Sequence, residues 1–274
     1  MRSRSSRRRP AKQKRQESAG SLARFFLTLV IFTWALRSFV VQPFDIPSGS
    51  MLPTLYIGDY LFTAKWSYGY SRFSFPLAFP SFDGRILGHL PARGDVVVFR
   101  HPTENADLIK RVIALPGDTI ELRKGRVILN GRLLAEKPLP PVSIPVTPNS
   151  PCRQMARVAV QGACRYAATL ETLPGGPSFT VLNQLDDGPA DNFGRVRVPA
   201  GHVFLMGDNR DDSLDSRFPT SVGGIGMVPV DHLIGRALVT FWSTDGSASY
   251  LEPWTWFTAL RVHRIGNGYT GDAE

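Results

Sequence analysis

VILNGRLL, Val127–Leu134, carries the clearest fold signal in the chain. Two short apolar runs, Val127–Leu129 and Arg132–Leu134, are separated by Asn130-Gly131. An Asn-Gly pair is the strongest two-residue hairpin signal, because both central residues of that turn need positive φ. Thr119–Leu122 reads as the preceding strand, behind the turn Leu115-Pro116-Gly117-Asp118. Further upstream, Asp59–Trp66, Val96–Phe99 and Leu108–Ala114 are short, apolar and β-branched, and turn residues such as Arg93-Gly94-Asp95 punctuate them. Downstream, Val196–Pro199, His202–Met206 and Ile234–Trp242 have the same character. The hairpin and the short connections predict antiparallel pairing and a mainly β fold.

Residues 138–191 differ in texture, being rich in Pro, Gly, Ala and Thr, and are read as an inserted smaller lobe or excursion. The β-rich domain is then 43–137 plus 192–266, with 267–274 as a C-terminal tail. Gly69–His89 reads as a loop, and its Phe73, Phe75, Phe79 and Phe82 suit either core packing or contact with lipid. Trp254, Trp256 and Phe257 sit in an amphipathic piece that suits a membrane interface, although core packing is the commoner fate of such residues.

The net charge of +9 is unevenly placed. Residues 1–17 hold eight Lys/Arg against Glu17, which is +7, so the remaining chain carries only +2. That excludes a basic-face argument for nucleic acid. Residues 1–22 read as a basic tail. Phe25–Leu36 follows without a charge, and counting on through Arg37 to Val41 gives seventeen residues, roughly 25 Å of helix at about 1.5 Å per residue. A membrane anchor over 23–42 is the favoured reading, with a cleaved signal peptide as its rival. No small-x-small cleavage site follows the apolar core, where the chain reads Arg-Ser-Phe-Val-Val-Gln-Pro. The basic tail places the N-terminus in the cytoplasm and everything after Val41 outside.

Beyond the apolar run lies PFDIPSGSMLPTLYIG, Pro43–Gly58, in which three prolines forbid a regular helix and Ser48 and Ser50 flank Gly49. It reads either as a linker or as a stiff platform for attack on a peptide. Of the possible bases, His89, His101, His202, His232 and His263 carry no triad pattern, and no GxSxG elbow is present. Lys110 differs: it alternates with Leu108 and Val112, while Arg111 alternates with Ile109 and Ile113. One of these cations projects among apolar groups, where lost hydration lowers a lysine pKa and suits it to act as a base on serine. Outward snorkelling of Lys110 is the alternative. Gly207–Arg217, GDNRDDSLDSR, lacks the glycine and glutamate of an EF-hand and reads as a polar turn tied by Asp–Arg pairs. Cys152 and Cys164 are either unrelated thiols or, in an exported domain, a disulfide; with no histidine nearby they make no zinc site. No metal and no cofactor is expected.

Four blocks together, PSGSMLPTL (Pro47–Leu55), RGDVVVF (Arg93–Phe99), IKRVIALPGD (Ile109–Asp118) and GDNRDDSLDSR (Gly207–Arg217), resemble the bacterial type I signal peptidases, the membrane-bound Ser-Lys leader peptidases. The resemblance implies an antiparallel β catalytic domain with a variable inserted lobe. It implies Ser50 as nucleophile, Lys110 as general base, Ser48 as oxyanion donor and Ser213 as the hydroxyl orienting the lysine. It makes Asp215 and Arg217 a structural ion pair, with Asp208, Asn209 and Arg210 as scaffold. Phe44, Ile46, Pro47, Leu55, Leu61, Val98, Leu108 and Ile109 become shallow pockets for small side chains of an A-x-A site. The implied partners are signal peptides of exported preproteins and the lipid bilayer. The implied location is the bacterial inner membrane, with a single span and the catalytic domain outside. Two other readings stay open: a specialised pilin- or conjugation-type processing peptidase of the same clan, and a tethered β-domain that binds peptides without cutting them.

Overall fold

The computed structural model describes residues 19–269, except 153–156, 161, 186 and 250. The basic stretch 1–18 lies outside the described residues. Helix α1 (Ala19–Phe39) starts ahead of the expected residue 23 and takes in Ser21 and Leu22. Its apolar side chains, from Phe25 to Leu36, face outward. Gly20–Phe39 is long and apolar enough to cross a membrane, at 20 residues or about 30 Å. The helix stops before Val41 because the next residues are already paired: β1 (Val41–Asp45) runs antiparallel to β2 (Asp59–Ala64), with Val41 opposite Ala64.

The remaining strands follow in chain order. They are β3 (Val96–Arg100), β4 (Asp107–Ala114), β5 (Thr119–Arg123), β6 (Arg126–Leu129) and β7 (Arg132–Leu133), then β8 (Ala135–Pro145), β9 (Arg157–Val160), β10 (Ala163–Thr172) and β11 (Ser178–Leu182), and last β12 (Phe193–Arg197), β13 (His202–Met206), β14 (Val228–Pro229) and β15 (Leu233–Ser243). A seven-stranded sheet has the order β1-β2-β15-β3-β4-β13-β14, and a four-stranded sheet has the order β12-β5-β6-β7. Every pairing between these strands is antiparallel. Asn130 and Gly131 take φ of 53° and 76°, so the turn that Asn-Gly encodes joins β6 to β7.

The inserted segment is a β lobe of its own, with β8, β10 and β11 in one sheet and β9 paired to β10. It begins at Ala135, slightly before residue 138, because β8 pairs with β10 from Ala135↔Thr172 onward. Cys152 and Cys164 are bonded within it. The lobe packs on the main domain through Leu52, which shares an apolar cluster with Ile144, Tyr166, Ala168 and Leu182. Of the expected tail 267–274, the described part 267–269 is folded in: Tyr269 is buried, its hydroxyl meets the Thr240 hydroxyl, and its backbone N–H donates to the Leu238 carbonyl. Gly69–His89 is irregular as expected, with Phe75 buried and Phe79 exposed. The Trp254–Phe257 piece contains a short helix, α2 (Thr255–Thr258), and Trp254 and Phe257 are exposed rather than packed in the core.

Candidate active site

Ser50 sits in a single 3-10 turn, Gly49–Met51, between β1 and β2. Pro43 and Pro47 keep the lead-in extended, and Leu52 N–H closes the turn on the Gly49 carbonyl at 3.1 Å. The apolar neighbours Met51 and Leu55 are fully buried and anchor the turn in the core. The loop Gly207–Arg217 then grips it from outside. Asn209 donates from its side chain to the Gly49 carbonyl at 3.0 Å and from its backbone to the Ser50 carbonyl at 3.1 Å.

Strand β4 delivers the two adjacent cations to different duties, as alternation requires. Arg111 goes to Asp208, with Nε donating at 2.7 Å and an Nη at 2.6 Å. Asp208 also accepts from the Thr54 hydroxyl at 2.6 Å, so one carboxylate ties β4, the loop and the Ser50 segment together. Lys110 goes to Ser50, with Nζ 2.6 Å from Oγ and 3.1 Å from the Ile109 carbonyl. Burial pushes the Lys110 pKa down from 10.5 to about 8, with help from Arg217, against the opposing pull of Asp215, Asp208 and Asp212. Burial alone does not single out this lysine. Lys65 is also buried and lowered to about 8, but its ammonium is spent on the Ser74 carbonyl. What distinguishes Lys110 is the hydroxyl in front of it.

The Ser48 hydroxyl lies 3.3 Å from Ser50 Oγ, on the exposed side of the turn. The Ser213 hydroxyl is buried and close to Ser50: a Cβ placed on Gly207 would meet Ser213 Oγ at 2.4 Å and the Ser50 carbonyl at 2.5 Å. It makes no hydrogen bond to Lys110 among the described residues; the ammonium is held by Ile109 and Ser50. Asp215 and Arg217 pair at 2.8 Å through two N–H donors, and Asp215 accepts from Gly207 N–H at 3.0 Å. Burial would raise the Asp215 carboxyl, but Arg217 and these hydrogen bonds hold it below the usual carboxylate range. Arg210 forks onto Glu171 of β10 at 2.7 and 2.5 Å, which couples the inserted lobe to the loop.

Six of the eight expected pocket residues pack together, and a seventh adjoins Ser48. Ile46, Leu55, Leu61, Val98 and Ile109 form one cluster with Phe44 against it, and Pro47 is exposed beside Ser48. Leu108 does not join them. It packs with Val97, Phe99 and Val112, on the face of β4 that parity gives to Leu108 and Lys110 and that lies opposite Ile109. The five histidines stay out of the site. The Nδ1 of His101 accepts from Thr103 and Glu104 N–H, while His202 and His232 bond backbone carbonyls. No group of three or more His, Cys, Asp or Glu side chains that could hold a metal occurs among the described residues.

The sequence comparisons point to one peptidase family. The profile of the family described as signal peptidase, peptidase S26, matches residues 19–242. The chain belongs to that family. A signal peptidase I of Rickettsia typhi is 31% identical over 262 residues, which cover 88% of this chain and 90% of that one. Those of Pseudomonas fluorescens and Pseudomonas aeruginosa are 36% and 35% identical, each over 80% of this chain and 70% of theirs. As a serine-type signal peptidase it removes signal peptides from preproteins.

Three features of this peptidase site escaped the sequence reading. Arg111 appeared only as a neighbouring charge, Thr54 not at all, and Glu171 lay within the insertion. An arginine flanked by Ile109 and Ile113 was the one available signal, since a buried guanidinium needs a carboxylate partner.

Proposed function

We propose that this signal peptidase cuts its substrate with a Ser50–Lys110 dyad and an acyl-enzyme, after a small residue, from a membrane-anchored position. The observation that carries the reading is the 2.6 Å contact between Lys110 Nζ and Ser50 Oγ at a buried position. When the amine is neutral the same contact runs the other way, with the Ser50 O–H donating to Nζ. Ser50 Oγ then bonds the scissile carbonyl carbon while its proton passes to Nζ. The C–N bond breaks as the Lys110 ammonium returns that proton to the leaving amine. Neutral Lys110 next takes a proton from water, whose oxygen attacks the ester carbon, and Ser50 leaves with the proton restored. Ser48 Oγ, 3.3 Å from the attacking oxygen, is the side-chain donor to the developing oxyanion.

Phe44, partly exposed over the buried cluster of Ile46, Leu55 and Ile109, supports a shallow pocket for small P1 and P3 side chains next to Ser50. Helix α1 leads directly into β1, so anchoring would hold Ser50 near the bilayer and raise its effective concentration toward membrane-borne signal peptides. Under the positive-inside rule the basic N-terminus stays in the cytoplasm and the β domain faces outward from the inner membrane. The test is cleavage of a preprotein by purified Ser50→Ala and Lys110→Ala, with N-terminal sequencing of the wild-type product. Both variants are expected to be inactive, and the released signal peptide should end in a small residue. Near-wild-type turnover in either variant would sink the dyad.

A further inference from the structure

A short 3-10 turn has poorly aligned hydrogen bonds, so the Gly49–Met51 turn that carries Ser50 depends on what grips it. Asn209 supplies the grip, with its side-chain amide on the Gly49 carbonyl at 3.0 Å and its backbone N–H on the Ser50 carbonyl at 3.1 Å. The Gly49 carbonyl and the Ser50 N–H lie on opposite edges of one planar peptide unit. Holding the first therefore aims the second, and it fixes the backbone from which Ser50 Oγ meets Lys110 Nζ at 2.6 Å.

An asparagine amide keeps nearly the same shape when its oxygen and nitrogen are exchanged. Turned round, Oδ1 would face the Gly49 carbonyl, acceptor against acceptor. Gln184 decides between the two, because its Nε2 donates to Asn209 Oδ1 at 2.8 Å and leaves Nδ2 for Gly49. Asn209 is buried, so bulk water would not satisfy an Oδ1 left without this donor.

Gln184 comes from the inserted segment, two residues past the end of β11 at Leu182. Its own placement is fixed against the Gly207–Arg217 loop. The N–H groups of Gln184 and Leu185 donate to one carboxylate oxygen of Asp211 at 2.6 and 3.0 Å. The Leu182 N–H donates to the Asp208 carbonyl at 2.8 Å, and Leu182 lies beside Asn209 as an isolated parallel bridge. A second contact joins lobe and turn, since Leu52, two residues after Ser50, packs in one cluster with Leu182.

We propose that Gln184 is a positioning residue for the cleavage reaction: it selects the orientation of the Asn209 amide, and Asn209 holds the Ser50 backbone at the angle that attack requires. The inserted lobe thereby serves catalysis through the loop, not through contact with Ser50 Oγ. The inference rests on Ser50 being the nucleophile, as proposed above.

The test measures kcat and KM for preprotein cleavage by the full chain in detergent, for wild type, Gln184→Ala, Asn209→Ala and the double variant. Each variant's unfolding midpoint in denaturant is taken alongside. Gln184→Ala is expected to lose about tenfold in kcat and Asn209→Ala about 10²-fold, with KM close to wild type in both. Because Gln184 acts through Asn209, the double variant is expected to match Asn209→Ala, not the product of the two losses. Gln184→Glu is expected to fall below Gln184→Ala, since a carboxylate draws Nδ2 to itself and turns Oδ1 toward the Gly49 carbonyl. Wild-type kcat in Gln184→Ala, a loss seen in KM alone, or multiplied losses in the double variant overturns the proposal. A merely structural glutamine would lower the unfolding midpoint and give Gln184→Glu and Gln184→Ala the same kcat, which also overturns it. If Asn209→Ala does not fold, the two Gln184 variants decide alone, because Gln184 is only partly buried. Ser50→Ala reports the nucleophile separately. Activity in that variant sinks the dyad reading, whereas its inactivity beside unaffected Gln184 variants sinks the positioning role alone.

Discussion

Replacing Lys110 by Met should make the protein more stable at neutral pH and inactive, and the stability gain should disappear in alkali. Burial lowers the Lys110 pKa from 10.5 to about 8. At about 1.36 kcal/mol per unit, the gap corresponds to ~3 kcal/mol. The unfolded chain keeps its proton up to its own pKa, whereas the folded chain gives it up from about 8. Folding below that value carries a charge into the core at the full cost, and the cost vanishes as pH rises from there to 10.5. Met fills similar space without the charge, but it leaves the Ser50 hydroxyl without its amine partner, a loss of ~1–2 kcal/mol. The net expectation is a variant about 1–2 kcal/mol more stable than wild type near pH 6, and less stable by a similar amount in strong alkali. At roughly 2–4 °C per kcal/mol, the crossing is readable as melting-temperature differences followed by tryptophan fluorescence in detergent. Comparing the two proteins at each pH removes the other titrating groups. A difference that stays constant from neutral to alkaline pH would refute the buried-charge reasoning.

Other substitutions probe the frame around the dyad. Ser48→Ala should lower kcat for preprotein cleavage by ~10²–10³-fold with little change in KM, as loss of one oxyanion donor does. Gly207→Ala puts a methyl within 2.4 Å of Ser213 Oγ and 2.5 Å of the Ser50 carbonyl, so the turn must move. A displacement of that size should cost ~10²-fold in kcat while the fold survives, as circular dichroism would show. Asp208→Asn breaks a buried fork with Arg111 and should destabilise the protein by about 3–5 kcal/mol in denaturant titration.

The parts of this molecule that were legible in the sequence are those governed by local rules. Asn130-Gly131 dictates its hairpin because few residue pairs tolerate that backbone. Alternation along β4 separates Lys110 from Arg111, and the structure sends one to Ser50 and the other to Asp208. The same alternation argued against placing Leu108 with Ile109, and the structure puts them on opposite faces. The ends of α1 were less legible, because hydropathy fades gradually at Ser21 and Leu22 and gives no sign that Val41 pairs with Ala64. Two other long-range ion pairs leave no local trace. Glu171 meets Arg210 across 39 residues, and Asp59 meets Arg264 across 205. Such partners are set by which strands become neighbours, and no sequence period encodes that. Tyr269 looks like tail in the sequence for the same reason, since only the closed sheet supplies Thr240 and Leu238 to receive it.

The most direct test of the Ser50–Lys110 account is the pH profile of kcat/KM for preprotein cleavage by the wild-type protein. Only the neutral amine can accept the serine proton, and with a pKa of about 8 roughly a tenth of it is neutral at pH 7. The account predicts about a tenfold rise per pH unit on the acid side, levelling above pH ~8. A profile that is flat through this range, or one that levels near pH ~6.5 as a histidine base would make it, would contradict Lys110 as the base.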